Sequence, residues 1–195
     1  AVEHLEKAVQ LGANDPNTVK LFNSAYVSSL DNAIKAWEAY AEENPGDAAR
    51  EAEESIASLK KQRAEFRLHS ARERVLHYGN DPGAHFELAE ILYETEEFDE
   101  AISELKQSEL SPRYQKKATL LKGTCYRLVK NYSSAVEAFE EIGEAFAEGS
   151  KEFLQTKFEL ALTYEEQGDT TQATTFYDVV REYDPSFRGV QNKTF

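Results

Sequence analysis

"KFELALTYEEQGDTTQATTFY", residues 157–177, decides the fold. It places a small residue, Ala161, in one apolar-periodic run and a second, Ala173, early in another, with Gly168-Asp169 between them. A bulky residue, Tyr177, follows Ala173 by four places. Two antiparallel helices approach closely only where small side chains face each other, and an aromatic ring fills the gap beside them. The stretch therefore reads as a helical hairpin.

The same layout occurs twice upstream, in "HFELAEILYETEEFDEAISEL" (85–105) and "TLLKGTCYRLVKNYSSAVEAF" (119–139). Ala89 and Gly123 stand where Ala161 stands, and Ala101 and Ala135 where Ala173 stands. Leu105 and Phe139 take the bulky position, and the small-residue spacing is 34, then 38. One such pair cannot bury its own faces, so pairs stack.

The pattern resembles the tetratricopeptide repeat (TPR), whose signature of W-x2-L-G-x2-Y, A-x3-F and P extends over about 34 residues. The last repeat matches it with Leu160, Ala161, Tyr164, Ala173, Tyr177 and Pro185. The first supplies Leu88, Ala89, Ala101 and Leu105, with Leu92 in the aromatic slot. The middle one supplies Gly123, Tyr126, Tyr132, Ala135 and Phe139, but has Lys122 where leucine is usual. His85, Thr119 and Lys157 sit in the tryptophan slot. The resemblance implies an all-α, right-handed superhelical solenoid of stacked antiparallel helix pairs.

Register extends this layout over residues 1–195 as a single solenoid. A partial repeat is expected over 1–16, where Ala1 and Leu5 match Ala33 and Trp37. A repeat over 17–46 follows, with Ala33, Trp37, Tyr40 and Pro45 as its second helix and closing proline. Residues 47–80 form a degenerate repeat with Arg67 at a small-residue position and no Gly or Pro between Asp47 and Tyr78. They read as one long helix or as a hairpin, and the preserved spacing favours the hairpin. Repeats over 81–113, 114–150 and 151–185 lead to a cap or tail over 186–195, which Phe187 would anchor. The opening residues read as mid-helix, so a truncated N-terminus is an expectation, and Val2, Leu5 and Val9 would then form an exposed edge.

Composition narrows the function. Lys plus Arg total 22 against 36 Asp plus Glu, a net charge of −14 that disfavours nucleic acid and anionic membrane as partners. No apolar run is long enough to insert directly into a membrane. The single Cys125 excludes an internal disulfide or CxxC motif and fits a reducing, cytoplasmic compartment. Glu94–Glu100 packs five carboxylates into seven residues, but it lacks the central glycine of an EF-hand loop. The alignment makes it a helix–helix turn whose acids face the next helix's N-terminal dipole. His4, His69, His77 and His85 form no HExxH, and Cys125 has no histidine near it in sequence. They read as packing or surface residues. Neither a metal nor a cofactor is expected, and no catalytic motif is present.

The chain therefore reads as a non-enzymatic protein–protein interaction scaffold or adaptor that binds a peptide or partner protein in its groove. The resemblance implies that first helices line a concave groove and second helices form the back. By that analogy the groove face consists of Phe86, Glu90 and Tyr93, then Lys117, Leu120, Thr124 and Arg127, then Phe158, Leu162 and Glu165. Residues 113–130 carry six basic residues and no acid, so a cationic centre amid apolar anchors suits a peptide with acidic and apolar side chains. The family's carboxylate clamp needs Lys and Asn where Phe86, Glu90 and Leu121 stand. A second basic cluster, Lys60, Lys61, Arg63, Arg67, Arg72 and Arg74, is a docking face or a solubilising one. The alternative role is a structural subunit that self-associates or assembles a larger complex through its solenoid ends, and a third is an accessory domain of a larger enzyme.

Overall fold

The computed structural model describes Lys7 and residues 15–193. Among them are eight α-helices, one short 3-10 helix and no strand. The expected partial repeat and the Val2, Leu5 and Val9 edge fall outside the described residues, as does His4. The rest divides into two units, one up to Leu76 and one from His77 onward.

Residues 15–76 of the first unit lie largely in two long helices, α1 (Pro16–Glu43) and α2 (Asp47–His77). Asp15 caps α1 by accepting hydrogen bonds from the Asn17 and Thr18 amides, with Pro16 at its first position. At 28 residues α1 spans about 42 Å. Two expectations are corrected here. Residues 17–46 form one helix plus a turn rather than a helix pair, and 47–77 form a single helix rather than a hairpin. The reason is the absence of any breaker: neither segment holds an internal Gly or Pro, so helix propagation is uninterrupted. The turn comes only at Asn44-Pro45-Gly46, where Gly46 takes φ +97°. The two helices run antiparallel. Phe66 packs on Phe22 and Tyr26, Gln62 donates to the Tyr26 hydroxyl at 2.8 Å, and Arg63 pairs with Asp31.

The second unit contains three short hairpins: α3 (Pro82–Glu94) with α4 (Phe98–Ser108), α5 (Gln115–Leu128) with α6 (Tyr132–Gly143), and α7 (Lys151–Gln167) with α8 (Thr170–Tyr183). Consecutive helices pack throughout, and α5 also touches α7 directly. All three turns share one backbone solution. The amides of Glu97, Asn131 and Asp169 reach back to the carbonyls of Leu92, Tyr126 and Tyr164 at 2.8, 2.8 and 2.9 Å. The residue before each, Glu96, Lys130 or Gly168, lies in the left-handed region at φ +64°, +62° and +88°. This is a Schellman ending repeated three times, and only the last uses glycine.

The packing signature reappears as full burial. Ala89, Ala101, Ala135, Ala161 and Ala173 are each 0% exposed, as are Leu105, Phe139 and Tyr177. A Cβ at Gly123 would lie 2.6 Å from the Phe139 ring, so the larger side chain there claims the space of the missing methyl group. The tryptophan slot is filled three times by a polar residue with its own partner. His85 donates to Glu104 at 2.5 Å and to the Gly79 carbonyl at 2.9 Å. Thr119 donates to Glu109 at 2.7 Å, and Lys157 lies over the Phe153 and Phe176 rings. Lys122, in the usual leucine position, pairs with Glu109 at 2.6 Å with its side chain only 13% exposed.

The stretch after α8 forms a 3-10 helix, Phe187–Asn192, and Phe187 packs edge-on against Phe158 at 5.9 Å.

Candidate functional site

The acidic run in the first turn serves folding. Thr95 bridges the end of α3, donating to the Ile91 and Leu92 carbonyls and to Glu97. Asp99 and Glu100 occupy the first turn of α4, where the N-terminal dipole favours negative charge, while Glu97 supplies no side-chain cap. Cys125 is fully buried, and burial pushes its thiol up to about 12, so the reactive thiolate is suppressed.

The groove residues separate into three groups. Glu90 and Lys117 are exposed, and Phe86, Tyr93 and Leu162 are half-buried. Phe86 stacks near Tyr114 at 5.5 Å, with the Arg113 guanidinium over the same tyrosine, so the entrance to α5 collects two aromatics and two cations, Arg113 and Lys117. Leu120, Thr124 and Phe158, by contrast, are buried at 8, 5 and 6% exposure, which corrects their placement on an open face. Stacking explains this: the following hairpin or tail covers positions that a lone helix would expose, and Leu120 joins the cluster of Phe139, Ile142 and Leu160.

The third group is electrostatic. Arg127 does not present a free positive charge. It donates to Glu159 at 3.1 Å and to Glu166 at 2.5 Å, with its own side chain 12% exposed. Glu159, buried on α7, receives a second cation, Arg188 from the 3-10 helix, at 3.0 Å. Burying a carboxylate is unfavourable unless it is paired, and two guanidiniums meet that need. Glu165 is held the same way, by the Tyr177 hydroxyl and by Lys193 at 2.9 Å. Burial alone would raise its pKa, but the hydrogen bonds from Tyr177 and Lys193, with the Lys193 charge, hold it below the usual carboxylate range. Tyr93 belongs to this face too. Burial, then the charges of Glu159 and Cys125, raise its hydroxyl pKa, while Arg127 and Arg188 act in the other direction. Side chains of α3, α5 and α7 thus share one electrostatic neighbourhood.

The basic patch expected over 113–130 is narrower than its sequence. Lys122 is spent on Glu109, Lys116 on the Ala145 carbonyl at 2.7 Å, and Arg127 on α7. Arg113, Lys117 and Lys130 remain exposed. Away from these residues, a shallow cleft between α6 and α7 is lined by Val136, Tyr164, Glu137, Glu140 and Glu141, an acidic surface on the second-helix side. In the first unit Lys60 and Arg63 pair with Glu38 and Asp31, and Lys61 with Glu65. Sequence reading missed Arg188 and Lys193 entirely. The only available signal was two cations in a tail following a chain rich in acids. Among the described residues no helix is long and apolar enough to cross a membrane.

Comparison with known proteins agrees with this architecture. A family model described as a tetratricopeptide repeat-like domain matches residues 47–164, and a tetratricopeptide repeat model matches 155–186. No curated protein sequence matches the chain significantly. Among solved structures, YrrB, described as a TPR protein with an unusual peptide-binding site, is 16% identical with a TM-score of 0.61, covering 98% of this chain and 97% of its own. MamA is 18% identical with a TM-score of 0.57 over 86% of this chain and 96% of its own. BtubC from P. vanneervenii is 18% identical with a TM-score of 0.53 over 100% and 94%. At such identities the likeness concerns the fold, and with a family model covering most of the chain and three hairpins carrying its packing signature, this protein belongs to the tetratricopeptide repeat-like family.

Proposed function

We propose that the chain is a non-enzymatic interaction scaffold whose second unit binds a short peptide, or an extended segment of a partner protein, along α3 and α5. The observation that supports this most directly is the grouping of half-buried aromatics with exposed cations on α3 and around the start of α5. Phe86, Tyr114 and Tyr93 offer apolar surface, and Arg113 and Lys117 are exposed beside them in sequence and helix position. Aromatic anchors bury area at low entropic cost, and a cation at the rim selects an acidic group. YrrB, with the same fold, is described as having a peptide-binding site, which favours this use of the fold.

On this reading the centre of recognition lies nearer the start of α5 than Arg127: Arg127 is committed to Glu159 and Glu166, whereas Lys117 and Arg113 are exposed beside the aromatics. Panning the full chain against a display library of short random peptides tests the reading. Selected sequences should combine an acidic residue with apolar ones, and Lys117→Glu or Tyr93→Ala should weaken them by about tenfold or more, ~1.4 kcal/mol, at unchanged helicity. Selected peptides that bind the Lys117→Glu chain as tightly as the parent would refute it.

A further inference from the structure

We propose that the 3-10 segment Phe187–Lys193 is an exchangeable occupant of a second peptide slot on α7 and α8, and that the slot's partner is a basic-apolar peptide carrying the segment's own pattern: aromatic, Arg, a branched aliphatic two places on and Lys three further. The slot meets the α3–α5 face at Glu159, which also pairs with Arg127, but its floor lies on α7 and α8 and the Lys117 site on α5, so the two proposals can fail separately.

The slot is defined by what the segment touches. Phe187 packs on Phe158, and Arg188 lies over the Phe158 ring and pairs with Glu159. Val190 is fully buried among Phe153, Leu154, Tyr177 and Val180. Lys193 pairs with Glu165 and lies over the Tyr177 ring. Without the segment, α7 and α8 would offer an aromatic and aliphatic floor with two carboxylates spaced along it, Glu159 and Glu165, the first of them only 4% exposed while the segment is in place. Such a surface is complementary to cations and apolar side chains in alternation.

The way the segment is held suits exchange. Arg188 adopts φ 45° and ψ 29° and Gly189 φ 73° and ψ 24°, two successive left-handed residues that interrupt any regular helix. Apart from the Phe187 amide, which donates to the Asp184 carbonyl just past α8 at 3.1 Å, the backbone is tied to α8 by side-chain reach: Arg181 donates to the Val190 carbonyl at 3.4 Å and to the Lys193 carbonyl at 2.7 Å. Attachment therefore depends on two apolar anchors, two ion pairs and two hydrogen bonds from Arg181 rather than on a continuous ladder. Pro185 and the Asp184–Ser186 turn, with Asp184 accepting from the Ser186 amide at 2.9 Å, define where the segment leaves α8.

A tethered segment competes with a free peptide at an effective concentration of about millimolar, so the unaltered chain masks its own slot. The test uses the full chain with Arg188→Ala and Lys193→Ala, which cut the segment's two ion pairs and leave Phe187 and Val190 unsubstituted, and a labelled peptide of the Ser186–Lys193 sequence, SFRGVQNK. The variant should bind the peptide at least about tenfold more tightly than the parent by fluorescence anisotropy. Adding Glu165→Gln should remove the gain, while Lys117→Glu should leave it unchanged. Equal binding by parent and variant, or a gain indifferent to Glu165→Gln, overturns the proposal. So does a concentration-dependent dimer of the variant with no peptide binding, which assigns the slot to a second copy. Hydrogen exchange on the unaltered chain gives an independent reading. The Gly189 and Lys193 amides should exchange through a local opening while the α7 and α8 core stays protected. A common rate for both sets means a fixed cap, and the proposal is lost.

Discussion

The two units use the same residue spacing to different ends. From Ala33 to Ala101 is 68 residues, two periods of 34, yet α1 and α2 are long uninterrupted helices whereas α3 to α8 are short ones turned back in pairs. The second unit buries its packing residues completely. In the first, Phe22, Tyr26 and Phe66 make a half-buried aromatic cluster, and Leu30 and Ile34 are the fully covered apolar residues of α1. Spacing sets which residues lie on one helix face. Whether the chain turns depends on local chemistry: a C-terminal residue able to adopt left-handed geometry and a following residue whose amide reaches the last turn.

Truncating rings on each side tests that contrast most strongly. Phe139 is fully buried against Gly123, and Phe139→Ala should cost about 3–5 kcal/mol, partly as a cavity. Phe66, half-buried, should cost roughly 1–2 kcal/mol on the same change. Gly123→Ala should also destabilise, by about 1–2 kcal/mol, because crowding the Phe139 ring outweighs the helical preference of alanine. Denaturant unfolding followed by far-UV circular dichroism, with Trp37 fluorescence reporting on α1, measures all three. Equal costs for Phe139 and Phe66 would remove the distinction between the units.

What could be read beforehand follows the same division. Alanine, glycine and aromatic positions at fixed offsets identified the three hairpins, because small-against-large packing leaves its mark in residue size. The turn in "ETEEFDE" was legible as a turn, though its left-handed Glu96 was not, since glutamate carries no sign of positive φ. The polar network was hidden for a different reason. Arg127 and Glu159 are 32 residues apart and Glu159 and Arg188 are 29 apart, and no local pattern says which of many charges will meet across stacked hairpins. Three groove residues were lost to burial by the same mechanism: helix periodicity predicts a face, and only stacking decides whether that face is covered.

A single substitution made at matching positions should have opposite signs in the two units. Gln62 lies 34 residues before Glu96, at the place where a hairpin over 47–80 would turn. Glu96→Gly relieves a left-handed non-glycine residue and should stabilise by about 1 kcal/mol, as should Lys130→Gly. Gln62→Gly, in the interior of α2, should destabilise by about 1 kcal/mol, including loss of its bond to Tyr26. Thermal unfolding of the three variants is sufficient to decide. A stabilised Gln62→Gly would show that α2 bends where the repeat spacing places a turn.

The smallest effect is a pH dependence confined to the second unit. Both nitrogens of His85 face acceptors, the Glu104 carboxylate and the Gly79 carbonyl, so the protonated imidazole can donate to both. Burial works against the charge, but the Gly79 and Glu104 hydrogen bonds, aided by the charges of Glu104 and Asp81, prevail and raise the His85 pKa above 6.5. A raised folded-state pKa means that the unfolded chain releases its proton first as pH rises. The stabilisation is therefore fully present below about pH 6.5 and disappears as pH climbs through the folded-state value. His85→Gln should destabilise the chain most at pH 6, and the gap between variant and parent in melting temperature should narrow toward pH 8. A gap independent of pH would mean that His85 fills the tryptophan slot by shape alone, whereas a narrowing one shows that its charge secures α3 to α4.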